Sequence, residues 1–256
     1  MLIALTAAAL FVGGYLFAAM VGAVFAGAYR EWETMVTRKP LSPVGMVLIG
    51  LLALATLAYP LFGVYGTLGI VLIAVLIGLF AGGEAAGWRA AGLLFFGAVV
   101  LAALAIRGQG ASGIYAGVFL ATVIWMTDSA AFFTGRQVGG EKLAPGISPS
   151  KTWSGALGGL ALGTLAGLAV WIWLTESPWW VGLLLAALTS VLGQAGDLCE
   201  SAVKRHFRIK DSGDIIPGHG GLMDRLDSLT FGLLFAAVLG AAHMGYDRIA
   251  DGLLLW

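Results

Sequence analysis

Charge is scarce in this chain. Only 11% of its 256 residues are Asp, Glu, Lys or Arg, against about a quarter in an average soluble domain. Positive and negative side chains are equal in number, 14 of each, so there is no electrostatic case for a nucleic-acid partner. Cysteine is nearly absent: Cys199 stands alone, which excludes an intramolecular disulfide. The 39 glycines follow no triplet period, which excludes a collagen-like rod. No ten-residue alternation of the kind barrel strands require is present. The first apolar run has neither a basic leader nor a clear small-residue cleavage site, so it reads as a retained span rather than a signal peptide.

What remains is apolar. Hydrophobic residues make up 59% of the chain, and they fall into runs of the length a helix needs to cross hydrocarbon. Helices and closed barrels alone satisfy their backbone in lipid, so the pattern predicts an all-α, polytopic membrane protein with about eight spans (7–9). The expected spans are 1–28, 43–59, 63–81, 87–106, 113–133, 153–174, 179–196 and 222–243, with Gly245–Trp256 as a short amphipathic tail. Trp32, after the first run, suits a membrane interface. Residues 1–112 read as N-terminal spans, and 113–256 as a catalytic region with polar loops at 135–153 and 197–221.

The basic residues are unevenly placed. Loops after the odd-numbered spans hold 12 Lys and Arg, while the other side holds only Arg107 and Arg248. By the positive-inside rule the richer side is cytoplasmic and both termini face out. The membrane expected is the inner, cytoplasmic one. Gly155, Gly159, Gly163 and Gly167 form a four-residue ladder in the sixth span, a pattern for close helix packing, either within one subunit or across a homodimer.

One long passage is polar. Between Asp197 and Asp227 lie six of the 14 carboxylates, five of the 14 basic residues and two of the three His. Each charge costs roughly 2.5–3.5 kcal/mol at bilayer depth, so such clustering at a membrane edge marks a site. Asp224 and Asp227 are three apart at the expected start of the last span, a spacing that puts both on one helix face. Asp197 closes the span before. Converging helix ends with carboxylates suit Mg²⁺; salt bridges to Lys204, Arg205 and Arg225 account for the same residues equally well. Lys204, Arg205, Arg208 and Lys210 fit a short interfacial helix, with Leu198, Val203 and Phe207 towards lipid. Pro217-Gly218-His219-Gly220-Gly221 fits a backbone-amide anion cradle or a plain flexible turn.

This passage resembles the signature of the phosphatidate cytidylyltransferases, S-x-x-K-R-x-x-x-x-K-D-x-x-x-x-x-P-G-H-G-G-x-x-D-R-x-D. All 13 defined positions, from Ser201 to Asp227, are filled at the right spacing. A second match lies upstream: Asp128-Ser129-Ala130-Ala131-Phe132-Phe133-Thr134-Gly135-Arg136 is similar to D-T-x-A-Y-x-x-G-R, and Leu143 to Gly155 to L-A-P-x-I-S-P-x-K-T-W-E-G. Ser129, Phe132 and Ser154 depart from the usual Thr, Tyr and Glu, so no carboxylate role is carried over to Ser154. The resemblance covers roughly 120–235.

It implies transfer of a cytidylyl group from CTP to phosphatidate, with the lipid bilayer as the setting. It implies Asp197, Asp224, Asp227 and Asp128 as ligands of Mg²⁺, with room for a second cation. Lys204, Arg205, Lys210, Asp211, His219 and Arg225 become catalytic candidates. Ser148, Lys151, Thr152, Ser201, Gly220 and Gly221 become substrate contacts. Other CTP-dependent lipid enzymes, a polyprenol-type kinase or an archaeal-lipid cytidylyltransferase, share these expectations. A transporter does not: its charges would sit at the midplane between repeated halves.

Overall fold

The computed structural model describes residues 2–213 and 220–256, with side chains from residue 5 onward. Among the described residues nine α-helices and one two-stranded ribbon are present: α1 (Leu2–Val12), α2 (Gly14–Thr37), α3 (Pro43–Phe80), α4 (Ala86–Arg107), α5 (Ala111–Val138), β1 (Lys142–Ala144), β2 (Ser148–Thr152), α6 (Trp153–Leu174), α7 (Trp179–His206), α8 (Asp227–Met244) and α9 (Ile249–Leu254). Six of the helices, α3 to α8, are long and apolar enough to cross a membrane. The protein is a multi-pass, all-α membrane protein. It divides into two compact units, residues 1–109 with 211–225, and residues 110–210 with 226–256.

In the first unit the expected first span is broken. Gly13 (φ 71) and Gly14 (φ 53) take left-handed backbone, a conformation glycine adopts without strain, so α1 stops and α2 begins. Arg107 fills the break. Its Nε donates to Leu10 O and its Nη2 to Phe11 O at 3.1 Å, which satisfies carbonyls that α1 leaves open. The second and third expected spans are both present, as the two helical stretches of α3: the backbone leaves helix at Gly63 (φ 60), three residues beyond Pro60, and folds back, so that Thr67 Oγ1 donates to Ala55 O at 3.0 Å. Ser42 caps that helix by accepting from Gly45 N at 3.0 Å.

Trp32 is buried within the first unit. It is 9% exposed, packs on Trp88 and edge-on to Phe96, and donates from Nε1 to Trp88 O at 2.9 Å. One residue on, the buried Glu33 accepts from Arg89 Nε at 2.9 Å and from Arg89 Nη2 at 2.8 Å, tying α2 to α4.

In the second unit the glycine ladder is buried against α5 of the same chain. A Cβ on Gly155 would meet Ala131 O at 2.8 Å, and one on Gly159 would meet Thr127 O at 2.8 Å. The small residues let the two backbones touch, so this chain itself uses the ladder. The expected polar loop is an antiparallel ribbon, Lys142 opposite Thr152 and Ala144 opposite Ser148. α7 runs unbroken to His206, well past the expected end near Gly196, and it absorbs the expected interfacial helix. Phe207 is correspondingly buried rather than turned to lipid. The tail folds back: Ser177 Oγ donates to Leu254 O at 2.7 Å, and Trp256 stacks on His243 at 4.2 Å between ring centres.

Candidate active site

The second unit brings three of the expected carboxylates together. Asp128 lies on α5, Asp197 on α7, and Asp227 is the first residue of α8. Glycines on α7 permit the approach. A Cβ at Gly196 would come within 2.6 Å of Asp227 O, and one at Gly193 within 2.6 Å of the Ile124 side chain on α5. Ser228 links two of the acids: its N–H donates to Asp227 Oδ1 at 2.7 Å and its Oγ to Asp128 Oδ1 at 3.2 Å. Asp227 feels the like charges of Asp197 and Asp128 and the opposite charge of Lys204. Asp128 is exposed and Asp197 partly so, which leaves the group open to a ligand.

Basic residues surround this group. Lys151, from β2, forms an ion pair with Asp197 Oδ2, and Ser201 Oγ reaches Asp197 Oδ1 at 3.4 Å. Lys204 is buried and pairs with Glu200 at 2.9 Å, one helical turn before it. Arg205 is spent on backbone: Nε donates to Ile147 O in the ribbon turn at 3.1 Å, and Nη1 to Ile209 O at 3.0 Å. Thr152 is buried, and its hydroxyl accepts from Gly155 N at 3.1 Å as the N-cap of α6. Ser148 sits half-buried at the start of β2, and Lys210 is exposed.

The other expected residues belong to the first unit. Asp224 lies in a single 3₁₀ turn, Met223–Arg225, so it shares no helix face with Asp227, the first residue of α8. Leu226, with φ −112, separates the turn from the helix. Asp224 Oδ2 accepts from Ser212 N (3.0 Å), Ser212 Oγ (3.0 Å) and Gly221 N (2.9 Å). Gly220 has φ 80, where a side chain would strain. Asp211 and Arg225 are exposed. His219, with Pro217 and Gly218, lies outside the described residues.

Comparison with known proteins settles the family. The family model described as the cytidylyltransferase family matches residues 1–243. The chain belongs to the cytidylyltransferase family. Its relatives include the phosphatidate cytidylyltransferase of Brucella suis biovar 1, 47% identical over 155 residues, or 60% of this chain and 57% of that one. The protein of the same name from Brucella abortus biovar 1 is 44% identical over 164 residues, 64% of this chain and 61% of its own. That of Bacillus subtilis is 47% identical over 118 residues, 46% and 44% respectively. The chain thus aligns with less than two thirds of the length of each of these relatives.

For a cytidylyltransferase-family chain the oxygen-only donor set of Asp128, Asp197 and Asp227 has the chemistry that Mg²⁺ prefers. Among the described residues no three His, Cys, Asp or Glu side chains close into a ready-made cage. Mg²⁺ does not require one, because it keeps several waters and takes one or two carboxylates beside phosphate oxygens.

Sequence reasoning missed three groups. Ser228 bridges two acids from a position with no motif value. The buried Glu33 pairs with Arg89, 56 residues on in sequence. Glu31, 3% exposed, takes three hydrogen bonds from residues 212, 222 and 223. The available signal was the cost of a carboxylate amid Tyr29, Trp32 and Met35.

Proposed function

We propose that this chain transfers the cytidylyl group of CTP to phosphatidate, forming CDP-diacylglycerol and pyrophosphate. The observation that carries the reading is the family match across residues 1–243. The signature from Ser201 to Asp227 and the names of the relatives support the same substrates. An oxygen of the lipid phosphate attacks the α-phosphorus of CTP. The new O–P bond replaces the bond to the β-phosphate oxygen, whose electron pair leaves with pyrophosphate. The nucleophile is already an anion near neutral pH, so no strong base is needed. The barrier is the approach of two anions, and positioning with charge neutralisation lowers it.

In this reading Lys151, Lys204 and Lys210 offset phosphate charge, and Arg205 holds the ribbon turn that leads to Ser148 and Lys151. Asp128, Asp197 and Asp227 would hold Mg²⁺, which supplies neutralisation of the CTP phosphates when bound. Lys151 then gains a second partner, since Asp197 holds it at the rim of the group. The excess of 12 basic residues over two supports a cytoplasmic membrane location with the site on the cytoplasmic face and the termini outside. The glycine ladder of α6 is consumed by α5, so a dimer would use another face.

The test is turnover by the purified, detergent-solubilised protein with phosphatidate, radiolabelled CTP and Mg²⁺. Label should enter the organic phase with equimolar pyrophosphate, and chelation should stop it. Asp227→Asn should lower the rate by roughly 10²–10³-fold in a folded protein. CDP as the released nucleotide would instead identify a kinase and overturn the reading.

A further inference from the structure

We infer that Glu31 is a positioning residue for the transfer, holding the 3₁₀ turn Met223–Arg225 that ends two residues before Asp227; the inference rests on the functional reading above. Glu31 is buried on α2, with the apolar Ala28, Trp32 and Met35 buried beside it. An apolar side chain would fill that place without desolvating a charge. What the carboxylate gains is specific. Oε1 accepts from Leu222 N at 2.8 Å, and Oε2 accepts from Met223 N at 2.9 Å. Two consecutive backbone amides therefore point into one carboxylate, the arrangement by which such turns cradle anions.

A glycine-rich turn of this kind can offer its amides to a substrate phosphate. These two amides are instead engaged by the protein's own anion, so their role is to fix the turn. The grip extends further. Ser212 Oγ lies 2.9 Å from Glu31 Oε2 and 3.0 Å from Asp224 Oδ2, so one hydroxyl joins the two acids. Space for the carboxylate exists only because its neighbours lack side chains: a Cβ on Gly213 would lie 2.8 Å from Glu31 Oε1, and one on Gly221 would lie 2.6 Å from Oε2. Glutamine is the informative replacement. It keeps the shape but replaces one acceptor with an NH₂ group that faces a backbone N–H, donor against donor.

The experiment compares wild type, Glu31→Gln, Ser212→Ala and Glu33→Gln in the full-length, detergent-solubilised protein. Glu33 is the control, since it is equally buried on the same helix but bonded to Arg89. Amide exchange of the peptide covering 220–225 should quicken about tenfold in Glu31→Gln and stay at the wild-type rate in Glu33→Gln. The kcat of Glu31→Gln should fall about 100-fold, the loss expected of a misplaced site, with KM for CTP within about threefold. Ser212→Ala, the milder change, should move both readouts in the same direction and by less. Unchanged exchange in both Glu31→Gln and Ser212→Ala overturns the clamp. Faster exchange with unchanged kcat per folded molecule overturns the positioning role. A wild-type protein that makes no lipid-borne cytidine overturns the functional reading, and exchange alone then decides the clamp.

Discussion

Replacing Gly196 with alanine adds one methyl group at the crossing of α7 and α8. The new Cβ would lie 2.6 Å from Asp227 O and 2.8 Å from a ring carbon of Phe231, against 3.4 Å at which ordinary contact begins. A backbone carbonyl cannot rotate aside, so the helices must part by about 0.8 Å at the residue that precedes Asp197 and faces Asp227. Overpacking of this kind costs about 1–3 kcal/mol, while alanine in a helix is favoured over glycine by about 1 kcal/mol. The net expectation is a loss of about 0–2 kcal/mol. Gly50 provides the comparison: it lies in α3, exposed, with nothing within 4 Å of its hypothetical Cβ. Gly50→Ala should hold or gain up to about 1 kcal/mol. Both variants would be followed by unfolding in detergent and by CTP turnover with phosphatidate. Turnover should fall about 100-fold for Gly196→Ala, because a displacement near 1 Å costs that much, and be unchanged for Gly50→Ala. A Gly196→Ala protein as stable and as active as wild type refutes the packing account. One that is destabilised but turns over at the normal rate refutes the claim that this crossing sets the carboxylate geometry.

Two further outcomes are expected. Glu33→Gln leaves the half-buried Arg89 without its anion, a loss below the about 3–5 kcal/mol of a fully buried pair; unfolding in detergent should show it, while turnover per folded molecule stays the same. Asp251, on α9, has its pKa lowered, chiefly by the Ser112 hydroxyl and further by Arg248. Its folded value lies below its unfolded one, so its contribution is full above the unfolded pKa and is lost as pH falls through the folded value. Wild type should therefore exceed Asp251→Asn in stability at neutral pH, and the two should converge in acid below the usual carboxylate range.

Much of the fold is legible in the order of residues alone. Hydropathy is a local property, so the apolar runs mark α3 to α8 within a few residues, apart from helix ends. The spacing from Ser201 to Asp227 points to the family that the match across 1–243 shows. Asp128, Asp197 and Asp227 stand out as acids, and the second unit holds them together. Helix ends are less legible. The polar residues after Gly196 resemble an exit from helix, yet α7 continues to His206, since Lys204 and Glu200 pair along it one turn apart. Gly13 reads as one small residue in an apolar run, and nothing local tells that Arg107 occupies the break.

Partners of buried charges were decided by tertiary structure alone. Composition and spacing determined that this chain lies in a membrane and that its charges gather at 197–227. They did not determine which acid faces which donor. Asp224 and Asp227, three residues apart, belong to different units. Glu31 and Ser212, 181 residues apart, share a hydrogen bond. A charge is stabilised by what surrounds it in space, over a few ångströms, and a sequence orders residues only along the chain.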